Sequence, residues 1–418
     1  MRFFVDLVLV LALGVMGCSE ASGAGGSAGD GGRGGTMGQE FSCTEQGIRQ
    51  AIAQGGGPHF FACSGPTAIA ALFTVDNDVI LDGEGQLETD AIEVLAGVTA
   101  ELRGFHMRDQ DLWADHTGVV NGGDLRMTDC SVATFSGGGV LTTGTLTLVN
   151  SQVFGNSFGG IENRGELSIT DSSVSRNITG ADHDDWGAGI HNTGTLILTN
   201  STVSANDEWG LRGSGGIYNA GGFVMLTNST VSGNDGDSAG GIFNAGTLTV
   251  ANVTVSGNTG AGAGIHNEGT ATVMNSLFDG DCEGEITSGG HNIEAEGDTC
   301  GFYQTTDQVS VSADDLKLGE LADNGGPTQT HALGEGSVAI DVIPAVDCVD
   351  AEGETLTTDQ RGEPRDALCD VGAFEVQRTV ACFQDDECSP LVCCHLGSPF
   401  EPGTCETQLV CDELQGGG

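Results

Sequence analysis

Positive charge is what this sequence has least of. Thirteen basic residues face 59 acidic ones, giving a formal net charge of −46, and Lys317 is the sole lysine. Such a chain is repelled by nucleic acid and by anionic membrane surfaces, and it favours cations. The same acidity also serves plain solubility outside the cell. Aromatic residues are scarce at 5%, and the 8 prolines stand against 70 glycines without collagen periodicity. Amphipathic helical segments are missing from the middle of the chain, which excludes leucine-rich and helical repeats. The one long apolar run, from Phe3 to Met16, is too short for a membrane span.

What is present is a repeat. GGIENRGELSITDSSVSRN is followed by GAGIHNTGTLILTNSTVSAN, GGIYNAGGFVMLTNSTVSGN, GGIFNAGTLTVANVTVSGN and GAGIHNEGTATVMNSLFDG. Taking the apolar residue after the Gly pair as an index gives Val140, Ile161, Ile190, Ile217, Ile242 and Ile265. The steps are 21, 29, 27, 25 and 23 residues, with a fainter copy at Val119. Periods in the twenties mark a solenoid, whose core grows by stacking. From the index residue to a closing Asn the spacing is 16 residues in four units (Asn156, Asn177, Asn206, Asn258) and 17 in the one closed by Asn234. All other length variation falls in the spacer after that Asn.

Inside a unit the pattern alternates, as in Thr195-Leu196-Ile197-Leu198-Thr199, which indicates short strands. Asn and Gly at the run boundaries tolerate the left-handed backbone that sharp turns require. Three short strands per unit suit an all-β fold, a right-handed parallel β-helix with coils about 4.8 Å apart. The expected inward ladders are Ile161, Ile190, Ile217, Ile242, Ile265; Leu167, Leu196, Leu248; and Val153, Val174, Val203, Val231, Val255. Asn163, Asn192, Asn219, Asn244 and Asn267 should form an amide ladder at one corner, a structural role.

Residues 1–18 have the form of a secretion signal. Val15-Met16-Gly17-Cys18 resembles the lipobox of bacterial lipoproteins, with Met16 a departure. That resemblance implies lipidation of Cys18, and Ser19 implies sorting to the outer membrane. Residues 19–39, with nine glycines, form a disordered tether. Residues 40–64 hold a helix, Glu45 to Gln54, with Ile48, Ala51 and Ile52 on one face. It would cap the open first coil, whose unpaired edge invites aggregation. Cys43 and Cys63 are expected to pair. Less regular coils begin at Thr67, and the β-helix is placed at 65–310. This entry region resembles secreted β-helix proteins of the pectin-lyase-like superfamily.

The spacers are where function would sit, because variable loops on one side of a solenoid are its usual binding face. The loops at 178–189, 207–216 and 235–240 belong to successive coils. They gather Asp182, Asp184, Asp185, Asp207, Glu208, Asp235 and Asp237, with Trp186, Trp209, His183 and Arg212. Carboxylate clusters of this kind hold Ca²⁺, and the Asp residues named are the candidate ligands. Trp186 and Trp209 would stack on sugar rings. A Ca²⁺-dependent polysaccharide lyase or glycoside hydrolase would use Asp184 with Arg212 or His183. Against it, the longer signatures of pectate lyases and polygalacturonases are missing. Only Arg126, Arg164, Arg176 and Arg212 are basic between Gly118 and Cys300. The bland alternative is a set of solvated acidic loops. His191 and His266 fall where other coils carry Tyr218 and Phe243, so they are coil residues.

Cys282 and Cys300 bracket the decay of the repeat and are expected to pair. Then follow DNGGPTQTHAL (Asp323–Leu333), Ala339-Ile340-Asp341, Asp359-Gln360-Arg361-Gly362 and Cys369-Asp370-Val371-Gly372-Ala373-Phe374-Glu375. In that order they resemble the choice-of-anchor Q domain of bacterial surface β-helix proteins, with Val338 where that family usually has Pro. The resemblance implies a C-terminal cap, placed at 311–377, on a secreted or surface-anchored protein, and assigns no chemistry. Without it, Asp359, Arg361, Asp370 and Glu375 are expected to form a buried network, because buried charges need partners. Cys348 and Cys369 should pair. Residues 378–418 carry Cys382, Cys388, Cys393, Cys394, Cys405 and Cys411, and their spacing resembles cystine-knot miniproteins. Six cysteines so close require disulfides, with fifteen pairings open. Cys130 is left over, at a position where other coils have Ser.

The resulting expectation is a monomeric, exported lipoprotein of the outer membrane. It displays a non-catalytic β-helix that binds Ca²⁺ and glycans, with the lyase or hydrolase as rival and a protease-inhibiting tail as a third reading.

Overall fold

The computed structural model describes residues 38–109, 116–180, 186–210 and 213–377. Beyond these it gives the backbone of three short antiparallel strands, Ala381–Cys382, Val392–Cys394 and Gly403–Glu406. Cys18 and the side chains of the six tail cysteines lie outside the described residues.

The chain is a right-handed parallel β-helix. One unit shows its construction: strands Ile161–Asn163, Glu166–Thr170 and Ser173–Ser175, each parallel to its equivalent in the coils on either side. The index residues pair in one ten-stranded sheet. The column runs Phe73, Ile92, Val119, Val140, Ile161, Ile190, Ile217, Ile242, Ile265, Cys282. The repeat therefore extends two coils earlier and one later than its sequence signature.

Side-chain alternation does the rest. Leu125, Leu146, Leu167, Leu196, Val224, Leu248 and Ala271 line the second strands, and Val132, Val153, Val174, Val203, Val231, Val255 and Phe278 the third. All are buried. Each such aliphatic side chain contributes roughly 1.5–3 kcal/mol. Between second and third strands the chain turns on a left-handed residue, Asp171, Asn200, Asn228, Asn252 or Asn275, with φ from 47° to 55°. Asn and Asp tolerate that region better than other side chains.

Polar ladders hold the corners. Asn163, Asn192, Asn219 and Asn244 each donate Nδ2 to Oδ1 of the next asparagine, ending at Asn267, over 2.7–2.9 Å. The closing asparagines form a second ladder: Asn156, Asn177, Asn206 and Asn234 each donate to the next, ending at Asn258, at 2.9 Å. Serine hydroxyls make a third. Ser151, Ser172, Ser201 and Ser229 each accept the backbone N–H of the equivalent residue one coil earlier. Cys130 heads that column as a free, buried thiol, donating to the carbonyls of Thr128 and Leu102. Burial pushes its pKa up to about 12.

The N-terminal end is covered by helix α1, Glu45–Gln54. Thr44 caps it by accepting from Gly47 N–H, and Ile48, Ala51 and Ile52 face the core. The disulfides Cys43–Cys63, Cys282–Cys300 and Cys348–Cys369 are all present. After the last coils the chain packs Leu316, Leu333, Ala339, Ile343 and Val371 against Leu277 and Ile293. It then runs back along the outside of the third strands. Gln360 enters a socket there: Thr230 donates to its Oε1 at 2.6 Å, and its Nε2 donates to Thr202 and Thr328 at 2.8 Å. His331 bonds Ser232 at 2.8 Å, Ala373 N–H donates to Thr254, and Asn252 and Asn275 donate to the carbonyls of Val349 and Asp347.

Asp359, Arg361, Arg365, Asp370 and Glu375 form one network on this flank. Arg361 pairs with Asp359 at 2.7 Å and lies over the Phe374 ring. Arg365 pairs with Glu375 at 3.1 Å and reaches Asn228 Oδ1 of the β-helix at 2.9 Å. Backbone N–H groups of Asp341 and Val376 donate to Asp370. Burial pushes the Asp370 carboxyl up to about 7, raises Glu375, and lowers Arg365.

Candidate functional site

The spacers leave the β-helix directly after the closing Asn ladder, which fixes where each begins. Ser157, Ile178, Asp207, Asp235 and Thr259 then follow one another in parallel register. This edge carries most of the residues singled out from the sequence. Asp182, His183, Asp184, Asp185 and Arg212 lie outside the described residues.

Glu208, counted above among the carboxylates, is only 5% exposed. It accepts from the backbone N–H of Gly210 and, at 3.4 Å, of Asp237. Burial raises its pKa, and these amides counter the shift. Its role is to hold the spacers after Asn206 and Asn234 together. Asp235 is exposed and accepts from Thr259 Oγ1 at 2.6 Å, while Asp207 is half-buried and Asp237 exposed. Among the described residues, these three do not converge as a set of ligand atoms. One group does so within 4.8 Å, and it lies elsewhere: Asp90, Asp109 and His116.

The two tryptophans differ. Trp186 stacks on His191 at 3.9 Å between ring centroids and 12° between planes. His191 stacks on Tyr218 and Tyr218 on Phe243, and His266 follows at 5.2 Å. One face of Trp186 is thus occupied, by a column of coil side chains. His191 is 6% exposed, and burial drives its pKa down to about 4, with Arg164 adding to the fall. Trp209 is 67% exposed. On the two preceding coils stand Ile178, 41% exposed, and Phe158, 46% exposed. The exposure of Phe158 and Ile178 was not apparent in the sequence, where both merge with the repeat. The spacer length after each closing Asn was the signal available.

No family model matches the chain, and no curated protein sequence matches it. Solved structures do. Pectate lyase Pel9A is similar at 14% identity over 83% of this chain and 98% of that one, with a TM-score of 0.40. XylC in complex with xylose is similar at 9% identity over 75% and 67%, TM-score 0.35. The PL6 family alginate lyase AlyGC is similar at 12% identity over 82% and 60%, TM-score 0.35. Likenesses this distant say nothing about chemistry, and the β-helix assignment stands on the strand pairing itself.

Proposed function

We propose that this chain is a non-catalytic, surface-displayed β-helix scaffold that binds extended polysaccharide along its spacer edge. The observation that carries this reading is the exposure of Trp209, with Phe158 and Ile178 exposed on the two preceding coils. The same edge also carries the exposed carboxylates Asp235 and Asp237. Exposed aromatic faces suit sugar rings. In this reading the spacer carboxylates Asp207, Asp235 and Asp237, which form no preformed site by themselves, join Asp182, Asp184 and Asp185 in sharing Ca²⁺ with the carboxylates of a bound uronate polymer. Cys18 and the Gly-rich tether hold the scaffold to the outer membrane. Residues 318–375, resembling the choice-of-anchor Q domain, brace its flank.

The test is affinity electrophoresis of residues 40–418 against uronate and neutral polysaccharides, with Ca²⁺ or chelator, while ultraviolet absorbance follows unsaturated uronate. Retardation lost in Trp209→Ala, over a flat absorbance trace, supports the proposal. A Ca²⁺-dependent absorbance rise that Asp184→Asn abolishes would overturn it in favour of a lyase.

A further inference from the structure

We infer that Asp90, Asp109 and His116 form a site for a first-row divalent transition cation, of the Zn²⁺ or Mn²⁺ type. The site is separate from the acidic spacers and independent of the glycan reading. The three residues come from neighbouring coils, at the corner where the third strand of one coil leads into the first strand of the next. Asp90 lies two residues before Ile92, His116 three before Val119, and Asp109 directly follows the strand ending at Arg108. One ligand atom from each lies within 4.8 Å of the other two, and His116 Nε2 is 2.9 Å from Asp90 Oδ1. The His116 ring rests edge-on against Phe135 at 5.7 Å, which holds its orientation.

Two observations beyond proximity point to a ligand. The repeat does not ask for these residues. By strand register, the positions equivalent to Asp90 in the next two coils are Thr117 and Gly138. The same register places Gly137 opposite His116, and the third-strand pairing places Thr134 and Gly155 opposite Asp109. None of those offers an imidazole or a carboxylate, so the corner folds without them. The second observation is burial. Asp109, only 7% exposed, brings a second carboxylate to within 4.8 Å of the Asp90–His116 pair at a corner where the repeat supplies none.

The donor set selects the cation. Ca²⁺ takes six to eight oxygens, whereas one imidazole with two carboxylates suits Zn²⁺ or Mn²⁺. Asp90 and His116 keep 15% and 25% of their side chains open to solvent, so a bound ion would retain positions for water or a ligand oxygen.

Calorimetric titration of chelator-stripped, full-length protein with Zn²⁺, and visible spectroscopy with Co²⁺, test this. The expected result is one strong equivalent, weakened at least tenfold in His116→Gln and in Asp109→Asn and unchanged in Asp235→Asn. The Co²⁺ spectrum should show nitrogen and oxygen ligation only. Asp90→Asn, which keeps the hydrogen bond to His116, serves as the fold-preserving variant, and circular dichroism checks each protein. No uptake by the wild type, equal uptake by the variants, or a thiolate-to-cobalt band placing the metal on cysteine would overturn the inference.

Discussion

Two surfaces of the same coils have opposite characters. On the flank, outward residues of the third strands (Thr202, Thr230, Ser232, Thr254) and the corner asparagines (Asn228, Asn252, Asn275) all meet partners from residues 328–373. On the spacer edge, the spacers carry exposed Ile178 and Trp209 and exposed Asp235 and Asp237, at positions that differ from coil to coil. The flank is uniform because its residues belong to the repeat, and one segment can satisfy them all. The edge varies because spacer lengths vary. A solenoid thus separates structure from recognition along one unit: what repeats is covered, and what differs is displayed.

The largest effect is expected on the covered side. Arg365→Ala would strand Glu375 and remove the tie to Asn228, breaking a buried pair whose members are 0% and 1% exposed. Loss of one partner of such a pair costs about 3–5 kcal/mol. Denaturant unfolding should show that loss, and hydrogen exchange should show residues 323–377 opening first. If exchange on the flank is unchanged, the comparison between the two surfaces fails.

Next comes the ladder from which both surfaces depart. Asn206→Ala removes the Nδ2 bonds to Val174 O and Asn234 and the Oδ1 bonds from the backbone and side-chain amides of Asn177. Buried groups left unsatisfied cost about 1–3 kcal/mol each, partly shared, so a total near 3 kcal/mol is expected in the unfolding free energy. The spacers after Asn177 and Asn206 should loosen with it. An equal loss from Asn258→Ala would show that position in the stack does not matter.

Under the spacers, pH gives a smaller effect. His191 titrates near 4 in the fold because burial disfavours its charged form, against about 6.5 in the unfolded chain. As pH falls the unfolded chain takes up the proton first. This contribution to stability is therefore complete above about pH 6.5 and drains away as pH drops toward 4. Between pH 7.5 and 5 the loss is about 2 kcal/mol. His191→Phe, continuing the stack between Trp186 and Tyr218, should flatten that part of the pH–stability curve relative to wild type. A curve of the same slope in both proteins would refute the assignment.

How much of this the sequence disclosed follows the same division. The Ile, Leu, Val and Asn163–Asn267 ladders were legible because each member sits at a fixed offset from its index residue. Helix α1 was legible from Ile48, Ala51 and Ile52. Phe73 and Ile92 were not recognised as index residues, because their coils lack the Gly pair and the corner Asn; Val94 stands opposite Asn121. The closing asparagines were recognised as punctuation, but their pairing into a second ladder was not. Arg365 escaped because its partner Asn228 is 137 residues away. Glu208 was counted with the exposed loop carboxylates because sequence shows the composition of a loop and not which carboxylate turns inward. The trio Asp90, Asp109 and His116 escaped because coil length must be known before register can bring them together.

The smallest structural effect should accompany the sharpest functional one. Trp209 is 67% exposed, and its backbone N–H bonds Thr179 O whatever its side chain. Trp209→Ala should therefore change unfolding free energy by no more than about 0.5 kcal/mol, as surface substitutions do. If exposed Trp209, with Phe158 and Ile178, is the binding surface, the same substitution removes most of the polysaccharide retardation. Trp186→Ala separates the two roles of tryptophan on this edge. It exposes His191 and is expected to lower stability by more than Trp209→Ala, because it ends a stacked column. Stability and binding that fall together in both variants would make these exposed side chains packing features. Binding lost in Trp209→Ala at full stability would place recognition where the repeat stops.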